Sequence, residues 1–579
     1  MTITRLHLEN FQTIAQPTSI ELSEVVMLFG PNSSGKSAVL DALKFVLPMC
    51  THARGNKNDQ NLRRYRFSKG ERMVHREGDR HSRSILASCW RKYGELWASH
   101  LKVGVEGLVE IKDVDPLSFS WAWDFGWSLE EPDYGRYHHL DDILQFCNRT
   151  AMFSVDAEWL CHIASDRQDF GYDDSYLTLN LKHPALLQEL QSALDSDFSW
   201  SQSGLAELTD MQEMVQRIQY LLRDNDWRDP VWIDEDGNLV CEGAWDISDN
   251  RVLRIVYEMY SQYGRKVNEA RLLETKILET VFDRVNTLFE LASNEAMPFV
   301  VEDSRTIPNP RELTYLMDAY SGLGSPVGKD IPDEYDMSSP TYRELAEGFC
   351  GKLPDYNNYS DRGLFENSQT LLDNVNRLMS DFMFVDRGYQ LDRTCAYVIT
   401  EQEARSLVTA AASDSINQAK IDGQCLIKLE LRDVKGDRYD FDEVGSGIGY
   451  SLPVLVGLAN DSGQVAIAQP ELHLHPALQS AMGDAVLHSA SSGHRILLET
   501  HSEHLLLRVL RRIRQASNEL LDSTDYPSAT AQKVRVYYFE PLMDGTTRVH
   551  KLRVSTEGEF LDPWPNGFFE ERYEDLFDE

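Results

Sequence analysis

The sequence predicts an α/β fold in which a mixed sheet is flanked by helices and interrupted by a mainly helical insertion. A phosphate-binding pattern near the start lies between an apolar strand and a helix. Two further apolar strands, each ending in polar residues, follow about four hundred residues later. Between these regions, residues 130–295 place apolar side chains mainly at three- and four-residue steps, which is typical of helices.

The phosphate-binding pattern fits G-x-x-x-x-G-K-[ST] without a mismatch. Its residues are Gly30, Pro31, Asn32, Ser33, Ser34, Gly35, Lys36 and Ser37. Residues 25–29 predict a buried strand before it, and residues 37–47 predict a helix after it. In such a loop, backbone N–H groups surround phosphate oxygens, Lys36 reaches the β- and γ-phosphates, and the Ser37 hydroxyl binds Mg²⁺. The alternative is a Gly/Ser-rich turn that matches by chance.

Composition limits the class of protein. The 579 residues carry a formal net charge of -36, which opposes non-specific nucleic-acid binding over most of the surface. We find no apolar run of membrane-spanning length and no signal peptide. The eight cysteines include no C-x-x-C pair, as expected for reduced thiols. We therefore expect a cytoplasmic protein.

Residues 51–92 form a basic segment in this acidic chain, with 12 basic and 4 acidic residues. Arg63, Arg64 and Arg66 lie beside Tyr65 and Phe67, a pattern that suits contacts with phosphates and bases. Residues 54–92 are therefore a candidate nucleic-acid surface. The alternative is a solvated loop, or an intramolecular partner for acidic faces.

Coarse patterning predicts three regions. Residues 1–125 contain an opening hairpin, the phosphate loop and further strands, in which the Trp121–Trp127 cluster suits a core better than a ligand platform. Residues 126–300 are the mainly helical insertion, a candidate region for dimerisation or partner binding. Residues 232–240 in it read as a hairpin turn that lacks the full calcium-loop pattern. Residues 301–579 begin with a loop-rich stretch and return to helices and strands.

Three motifs stand in the last region. A glycine-rich turn, Val444, Gly445, Ser446 and Gly447, precedes a helix predicted over residues 451–458, and serves as a phosphate cradle or as a purely structural turn. Residues 464–468 form an apolar strand followed by Gln-Pro-Glu-Leu-His-Leu-His-Pro. Residues 495–499 form a second such strand, followed by Thr-His-Ser-Glu-His.

Together these motifs resemble the ABC-type ATPase head shared by SMC, RecF and OLD (overcoming lysogenisation defect) proteins. The resemblance covers residues 1–50 and 440–579, including a C-terminal Trp-Pro-Asn-Gly-Phe-Phe run. It implies that two heads form a homodimer, or part of a larger homo-oligomer, with ATP and Mg²⁺ between them. Residues 444–447 then resemble the signature loop that caps the γ-phosphate held by the partner subunit. His501 resembles the switch histidine that faces the γ-phosphate.

The chain departs from this family at the end of the Walker B strand. Related ATPases carry two acids there, or an acid followed by Gln, whereas Ala468 and Gln469 occupy these places. Alanine holds no cation and glutamine is no base. Glu471, which lies past Pro470, is a candidate substitute for the missing acid. With it, the resemblance gives His501 and Gln469, at the Walker B position, as the candidate catalytic residues. A further departure is the pair Gly449-Tyr450, which stands in the signature segment where Ser-Gln is common. ATP binding is expected, and fast hydrolysis is not.

Two histidines in the loop after the Walker B strand admit a second interpretation. Glu471, His473 and His475 suggest a metal site, but their spacing provides an incomplete ligand set. The resemblance instead places them in a loop at the edge of the nucleotide. His504 is expected to pack against, or cap, the following helix.

No acidic pattern of Toprim type and no H-N-H pattern is found in the sequence. The resemblance therefore favours the Septu ATPase subunit of PtuA type, also present inside retrons, which pairs with an HNH nuclease. It implies an ATPase subunit whose nucleotide state controls a partner effector, a nuclease, in bacterial antiphage defence. The alternatives are a DNA-repair or chromosome-maintenance ATPase of RecF/SMC type, and an ATP-bound scaffold that hydrolyses poorly.

Overall fold

The structure is a computed structural model, and only part of the chain is described. The described residues are 2–43, 91–93, 96–98, 100–111, 114–126, 148–167, 173–196, 231–243, 299–301, 362–398, 405, 424–441, 443–459, 463–518, 529–565 and several helical residues within 280–292.

The chain divides into two compact units that exchange segments along the sequence. The first unit comprises Met1–Ser23, Gly30–Pro298 and Tyr538–His550. The second comprises Glu24–Phe29, Phe299–Tyr537 and Lys551–Glu579. The phosphate-binding pattern therefore belongs to the first unit, and the strand that leads into it belongs to the second.

A nine-stranded antiparallel sheet dominates the described part of the first unit. Its strand order is β11-β12-β10-β9-β8-β7-β6-β1-β2. The strands are β1 (Thr2–Glu9), β2 (Thr18–Glu21), β6 (His100–Ile111), β7 (Val114–Gly126), β8 (Asn148–Val155), β9 (Glu158–Arg167), β10 (Asp173–Leu179), β11 (Val231–Ile233) and β12 (Leu239–Gly243). The described part also contains a separate pair, β4 (Lys92–Tyr93) and β5 (Leu96–Trp97), the helices α1 (described over residues 37–43) and α2 (Pro184–Ser196), and the helical residues within 280–292.

Alternating side chains give this sheet one apolar face. Val103, Val105, Trp121 and Trp123 are buried, because residues two apart in a strand share a face. The two tryptophan rings stack with centroids 5.5 Å apart. For these two tryptophans, the prediction of a core cluster is confirmed.

The predicted helical insertion is wrong for residues 148–155, 158–167 and 173–179, which form β8, β9 and β10. The alternation in β8 explains the difference, because Ala151, Phe153 and Val155 are buried while Met152 is exposed. The helix predicted over residues 186–194 and the hairpin at 232–240 are confirmed by α2 and by β11 paired with β12. The helices predicted over 205–222 and most of 250–295 lie outside the described residues.

A six-stranded sheet has the order β13-β17-β18-β3-β19-β20. Its strands are β3 (Val25–Phe29), β13 (Phe299–Val301), β17 (Gln464–Ala468), β18 (Arg495–Glu499), β19 (Val534–Pro541) and β20 (Thr547–Leu552). Strands β13, β17, β18 and β3 are parallel neighbours, and β3, β17 and β18 are buried almost throughout. Their apolar runs suit a sheet covered on both faces. The chain therefore has a mixed α/β fold, as the sequence predicts.

The remaining described elements belong to the second unit. They are α3 (Arg362–Leu378), a π-helical segment (Met379–Met383), the antiparallel sheet of β14 (Gln390–Val398), β15 (Gln424–Arg432) and β16 (Arg438–Tyr439), and the helices α4 (Ser446–Ala459), α5 (Pro476–Ser491) and α6 (Glu503–Ser517).

A buried ion-pair cluster joins α5 to α6. The Asp484 carboxylate accepts hydrogen bonds from Nε and Nη2 of Arg512, at 2.7 and 2.8 Å, and also pairs with Arg508. Such a cluster adds little net stability, but loss of one partner leaves a buried charge and is strongly destabilising. The cluster therefore sets how α6, which begins just after His501, lies against α5.

Candidate nucleotide-binding site

The phosphate loop in the first unit is organised around Lys36. The side chain is 2% exposed, and its Nζ donates to the carbonyl oxygens of Gly30 at 3.0 Å and Pro31 at 2.8 Å. A longer contact of 3.5 Å reaches Ser34 Oγ. The ammonium group thus lies inside a ring of loop oxygens, where it is held for contact with phosphate.

The loop needs a glycine at position 35. Gly35 has φ +92°, and a Cβ atom there would overlap Thr13 Oγ1 and lie 3.0 Å from Thr547 Oγ1. Only glycine adopts this backbone conformation at little cost. The two threonines therefore close around the loop from parts of the chain that are far apart in sequence.

Two segments support the phosphate loop. The first is the N-terminal turn, residues 10–15, in which Phe11 and Ile14 exchange backbone hydrogen bonds of 2.9 and 2.8 Å. The second is the hairpin of β19 and β20, where Thr547 donates from its N–H to Thr13 O at 2.8 Å and from Oγ1 to Ser34 O at 2.7 Å. Gln12 Nε2 also donates to Asp41 Oδ2 in α1, at 2.9 Å. These hydrogen bonds hold the phosphate loop and α1 against the N-terminal turn and the β19–β20 hairpin.

Arg91 joins the same two segments. Its Nη1 donates to Gln12 O at 3.0 Å and to Gly545 O at 3.3 Å, and the residue is 6% exposed. Hydrogen bonds from Thr546, with a smaller contribution from the Arg91 charge, lower the pKa of Asp544. The inclusion of Arg91 in a nucleic-acid surface is therefore wrong, because its guanidinium is buried on carbonyl oxygens. Arg63, Arg64 and Arg66 lie outside the described residues.

In the second unit, three parallel strands end side by side. Ala468 ends β17 and Glu499 ends β18, and the two residues are register partners. Glu499 is in turn the register partner of Leu28, the penultimate residue of β3. The phosphate loop follows β3 directly in the chain, at Gly30. The carboxyl edge of this sheet therefore carries the Walker B position, an acid and the residues that lead into the loop.

The structure places Gln469 in a left-handed turn after Ala468. Gln469 has φ +45°, and its N–H donates to Glu499 O at 2.7 Å. A non-glycine residue in this conformation is uncommon and marks a specific turn. Ala468 is 7% exposed and has no oxygen on its side chain. A role for Gln469 in catalysis stays a prediction.

Glu471 braces the segment that carries His501. Its Oε2 accepts from Thr500 Oγ1 at 2.8 Å, and its Oε1 accepts from the His501 N–H at 2.6 Å. Hydrogen bonds to an ionised carboxylate are short and comparatively strong. Both carboxylate oxygens thus hold the loop after β18, which indicates that Glu471 positions His501. A role for Glu471 as a base, and for His501 as a phosphate sensor, stays a prediction.

The signature-like segment packs on the loop that follows β17. Helix α4 begins at Ser446 rather than at residue 451, so Ser446 and Gly447 form its first turn. A Cβ atom on Gly447 would lie 2.8 Å from His473 O, and the Tyr450 ring lies 4.2 Å from the His473 ring, measured between centroids. Gly445 and Ser446 are exposed, and Val444 is half-buried.

The two histidines of the loop after β17 have separate structural partners. His473 packs on Tyr450, whereas His475 is the N-cap of α5 and accepts from the Ala477 N–H at 3.3 Å. Ser502 caps α6, so the prediction of a cap at His504 is wrong. Within the described part of the chain, no group of three or more His, Cys, Asp and Glu side chains is arranged to hold a metal ion.

Sequence reasoning missed Glu499. It is 4% exposed and follows three buried apolar residues in the strand Arg-Ile-Leu-Leu-Glu. An acid as the last residue of a buried strand was the available signal, since buried carboxylates are paired or bind metals.

Comparison with known proteins agrees with the phosphate-loop assignment. A family model described as an AAA ATPase domain matches residues 1–68. The N-terminal part of the chain is therefore an ATPase domain of this type, and ATP is the nucleotide that such a domain binds. No curated protein sequence matches the chain.

Several solved SMC head domains are similar over most of the chain. An SMC head bound to the C-terminal winged-helix domain of ScpA is 10% identical, covering 96% of this chain and 98% of that one, with a TM-score of 0.37. The SMC head domain from Thermotoga maritima is 9% identical, covering 96% of this chain and 100% of that one, with a TM-score of 0.32. The Pyrococcus yayanosii SMC head with its coiled coil is 12% identical, covering 96% and 98%, with a TM-score of 0.34.

None of the described helices is both long enough and apolar enough to cross a bilayer.

Proposed function

We propose that the chain is an ATP-binding, ABC/OLD-like ATPase subunit whose nucleotide state controls a separate effector protein. The observation that carries the proposal is the phosphate loop itself. Lys36 is buried among loop oxygens, and the loop is tied to the N-terminal turn and to the β19–β20 hairpin. Such a preorganised loop suits the tight binding of a nucleotide triphosphate.

The proposed roles of the site residues follow the sequence resemblance. Lys36 binds the phosphates, Ser37 binds Mg²⁺, and residues 444–447 of a second copy cap the γ-phosphate. His501 responds to the γ-phosphate, and Glu471 holds it in place for that role. The exposure of Gly445 and Ser446 supports the cap, because a capping loop has to reach another molecule. ATP would shift the oligomer between states through its different affinities for them.

We further propose that the effector is a nuclease, of HNH type, and that the assembly acts in the bacterial cytoplasm against phage. This step is supported by the sequence resemblance to Septu ATPase subunits and by the lack of Toprim and H-N-H patterns in the sequence. An assembly of this kind separates nucleotide sensing from cutting.

A specific observation favours a second candidate, an ATP-bound scaffold that hydrolyses poorly. Ala468 provides no ligand, Gln469 provides no base, and both oxygens of Glu471 accept hydrogen bonds from the His501 segment. The RecF/SMC-type alternative depends on the basic segment, most of which lies outside the described residues.

The first experiment measures retained nucleotide, ATP turnover and mass in solution for the wild type and for Lys36→Ala. Lys182→Ala, an exposed lysine of the first unit, is the matched control. We expect Lys36→Ala to abolish ATP binding, because it removes the buried ammonium group. Turnover in the wild type favours the ATPase subunit, and bound ATP without turnover favours the scaffold. If wild type and Lys36→Ala bind ATP equally, the proposed function is wrong.

The proposed role in defence is tested in bacteria. The gene and its flanking genes are expected to protect cells from phage, and Lys36→Ala is expected to remove that protection. Protection that persists in Lys36→Ala cells would contradict nucleotide control of the effector.

A further inference from the structure

Tyr450 and His473 form an aromatic contact beside the signature-like turn of the second unit. Their ring centroids lie 4.2 Å apart, with an angle of 37° between the ring planes. Tyr450 is half-buried on α4, and His473 is exposed in the loop of residues 469–475, here called the coupling loop. Because aromatic pairs contribute more than the area that they bury, this contact holds α4 against the coupling loop.

The backbone of the first turn of α4 meets the same loop. A Cβ atom on Gly447 would lie 2.8 Å from His473 O and 3.4 Å from Leu474 Cδ2. Residues 451–459 of α4 are buried, which fixes the body of the helix in the core of its unit. Ser446, in the first turn, is exposed. A molecule that binds at this turn therefore contacts the part of α4 that packs on the coupling loop.

The coupling loop is held in one conformation by its own backbone. The N–H of Leu472 donates to Gln469 O at 3.1 Å, and the N–H of Leu474 donates to Glu471 O at 3.0 Å. Gln469 and His473 have φ of +45° and +60°. Non-glycine residues in this region persist where the surroundings fix them, and they are frequent in switch regions. A loop of this kind passes a displacement of His473 on to Glu471.

Two side chains join the coupling loop to the segment that carries His501. The Glu471 carboxylate accepts from the His501 N–H at 2.6 Å. Gln479, in the first turn of α5, donates from Nε2 to Leu474 O at 2.9 Å and accepts at Oε1 from Ser502 Oγ at 2.7 Å. Ser502 is the N-cap of α6. His501 and the residue after it are thus both held by contacts that lead back to the coupling loop.

We propose that the coupling loop makes the signature-like turn and His501 respond to each other, with Tyr450 and His473 as the residues that position the loop. A γ-phosphate capped by residues 444–447 then changes how His501 is held, and a γ-phosphate at His501 changes the turn. Coupling between two sites is reciprocal, and it typically changes affinity by about 5- to 150-fold. The proposal rests on the proposed function, since it requires ATP between two copies of the chain.

The first test observes the link in the full-length protein without nucleotide. Hydrogen exchange of the His501 backbone N–H is followed by mass spectrometry in the wild type, Tyr450→Ala and Tyr450→Phe. We expect exchange to be faster by roughly 5-fold or more in Tyr450→Ala, at the lower end of typical coupling. Tyr450→Phe keeps the ring and should behave as the wild type does.

A matched control removes another aromatic ring from the same unit. Tyr389 is also a half-buried tyrosine, and its ring packs on Phe384 with centroids 6.2 Å apart. We expect Tyr389→Ala to leave the exchange of the His501 N–H unchanged. Equal exchange in Tyr450→Ala and in the wild type would overturn the proposal, and so would equal acceleration by Tyr389→Ala and Tyr450→Ala.

His473→Asn tests the other side of the aromatic contact. Asparagine tolerates the left-handed conformation of residue 473, so the variant removes the ring with little added backbone strain. We expect it to accelerate exchange as Tyr450→Ala does, and the double variant to add nothing further, because both substitutions break one contact. If Tyr450→Ala fails to fold, His473→Asn alone provides the measurement. Unchanged exchange in His473→Asn, or full additivity, would overturn the proposal.

Nucleotide binding tests whether the link connects two sites. A non-hydrolysable ATP analogue and ADP are titrated into each variant by calorimetry. We expect the wild type and Tyr450→Phe to bind the analogue with positive cooperativity, and Tyr450→Ala and His473→Asn to bind it without. Affinity for ADP should be the same in all four, since ADP lacks the phosphate that the turn and His501 contact. A merely structural defect would weaken the binding of both nucleotides.

Failure of this proposal is distinguishable from failure of the proposed function. Wild-type protein that binds no ATP analogue contradicts the proposed function, and the coupling with it. Wild-type protein that binds the analogue without cooperativity contradicts only the coupling. The same holds if Tyr450→Ala and His473→Asn bind the analogue as cooperatively as the wild type.

Discussion

The sequence motif of the phosphate loop, in the first unit, predicts the structure of that loop. The sequence motifs at the strand ends of the second unit predict the charged groups there only in part. In the loop every residue of the pattern is present, and the structure uses Gly35 and Lys36 in the way that the pattern implies. At the strand ends the expected acids are replaced by Ala468 and Gln469, whereas Glu471 lies in the loop after β17 and Glu499 ends β18. The backbone conformation of a phosphate-binding loop can therefore be predicted from one short segment. The charged groups of a site built from several strands cannot be predicted in this way.

The largest effect is expected from Gly35→Ala, which breaks the phosphate loop. The new Cβ would overlap Thr13 Oγ1 in a backbone conformation that side chains rarely adopt. We expect ATP affinity to fall by at least about 100-fold, since strain of a few kcal/mol is concentrated at the loop. Isothermal titration calorimetry with ATP measures this change.

The matched control for Gly35→Ala is Gly436→Ala. Gly436 has a similar φ of +88°, but no atom lies within 4 Å of a Cβ built there. We expect a loss of about 1 kcal/mol in the free energy of unfolding, with ATP affinity unchanged. Equal effects of the two substitutions on ATP affinity would show that Thr13 and Thr547 do not support the loop.

An intermediate effect is expected at Glu471, whose oxygens hold the His501 segment. Glu471→Gln replaces one acceptor by an NH₂ group that faces a donor. Breaking a hydrogen bond to a charged group costs about 1.5 to 3 kcal/mol, so the free energy of unfolding should fall by that amount. We also expect a smaller preference for ATP over ADP, measured by competition binding.

Thr500 provides the control for this hydrogen-bonded contact between Glu471 and the His501 segment. Thr500→Ser keeps the hydroxyl that donates to Glu471, and Thr500→Val removes it. Thr500→Val and Glu471→Gln are expected to be non-additive in a double-mutant cycle, because they break the same contact. Full additivity, together with an unchanged preference for ATP in Glu471→Gln, would argue against a positioning role.

The smallest effect is expected from the ion pair of Arg553 and Asp562, which lies at the surface, unlike the part-buried hydrogen bonds of Glu471. Hydrogen bonds from Arg553 lower the pKa of Asp562 to about 2, from 3.8. Since the folded-state pKa is the lower one, the pair contributes stability above about pH 4. That contribution is lost as the pH falls toward 2.

Asp562→Asn isolates the contribution of this pair. Removing the carboxylate should lower stability slightly at pH 7 and reduce the loss between pH 4 and pH 2 by the same small amount, because exposed pairs contribute little. Thermal unfolding across this pH range tests the expectation. A slope identical to that of the wild type would contradict the lowered pKa.

Local patterns account for the elements that the sequence predicted well. Strands β3, β17 and β18 lie where their apolar runs end at a glycine or a polar turn. The failures concern strand pairing and burial, which local patterns do not specify. Strands β8, β9 and β10 form because neighbouring strands complete their hydrogen bonds, and Arg91 is buried because two distant turns offer it carbonyl oxygens. The partners of Arg91 lie far away in the chain, whereas β8 and β9 pair across a two-residue turn whose pairing only the structure reveals.

By itself, the sequence determined the α/β class, the phosphate loop and the absence of acids from the end of β17. These features are set by short segments, through hydrophobic periodicity and the conformational freedom of glycine. Only the tertiary structure decided that Thr13 and Thr547 enclose Gly35, that Glu471 holds the His501 segment, and that Glu499 stands beside Ala468. These contacts depend on the register of parallel strands and on the packing of loops, which bring together residues that no local pattern connects.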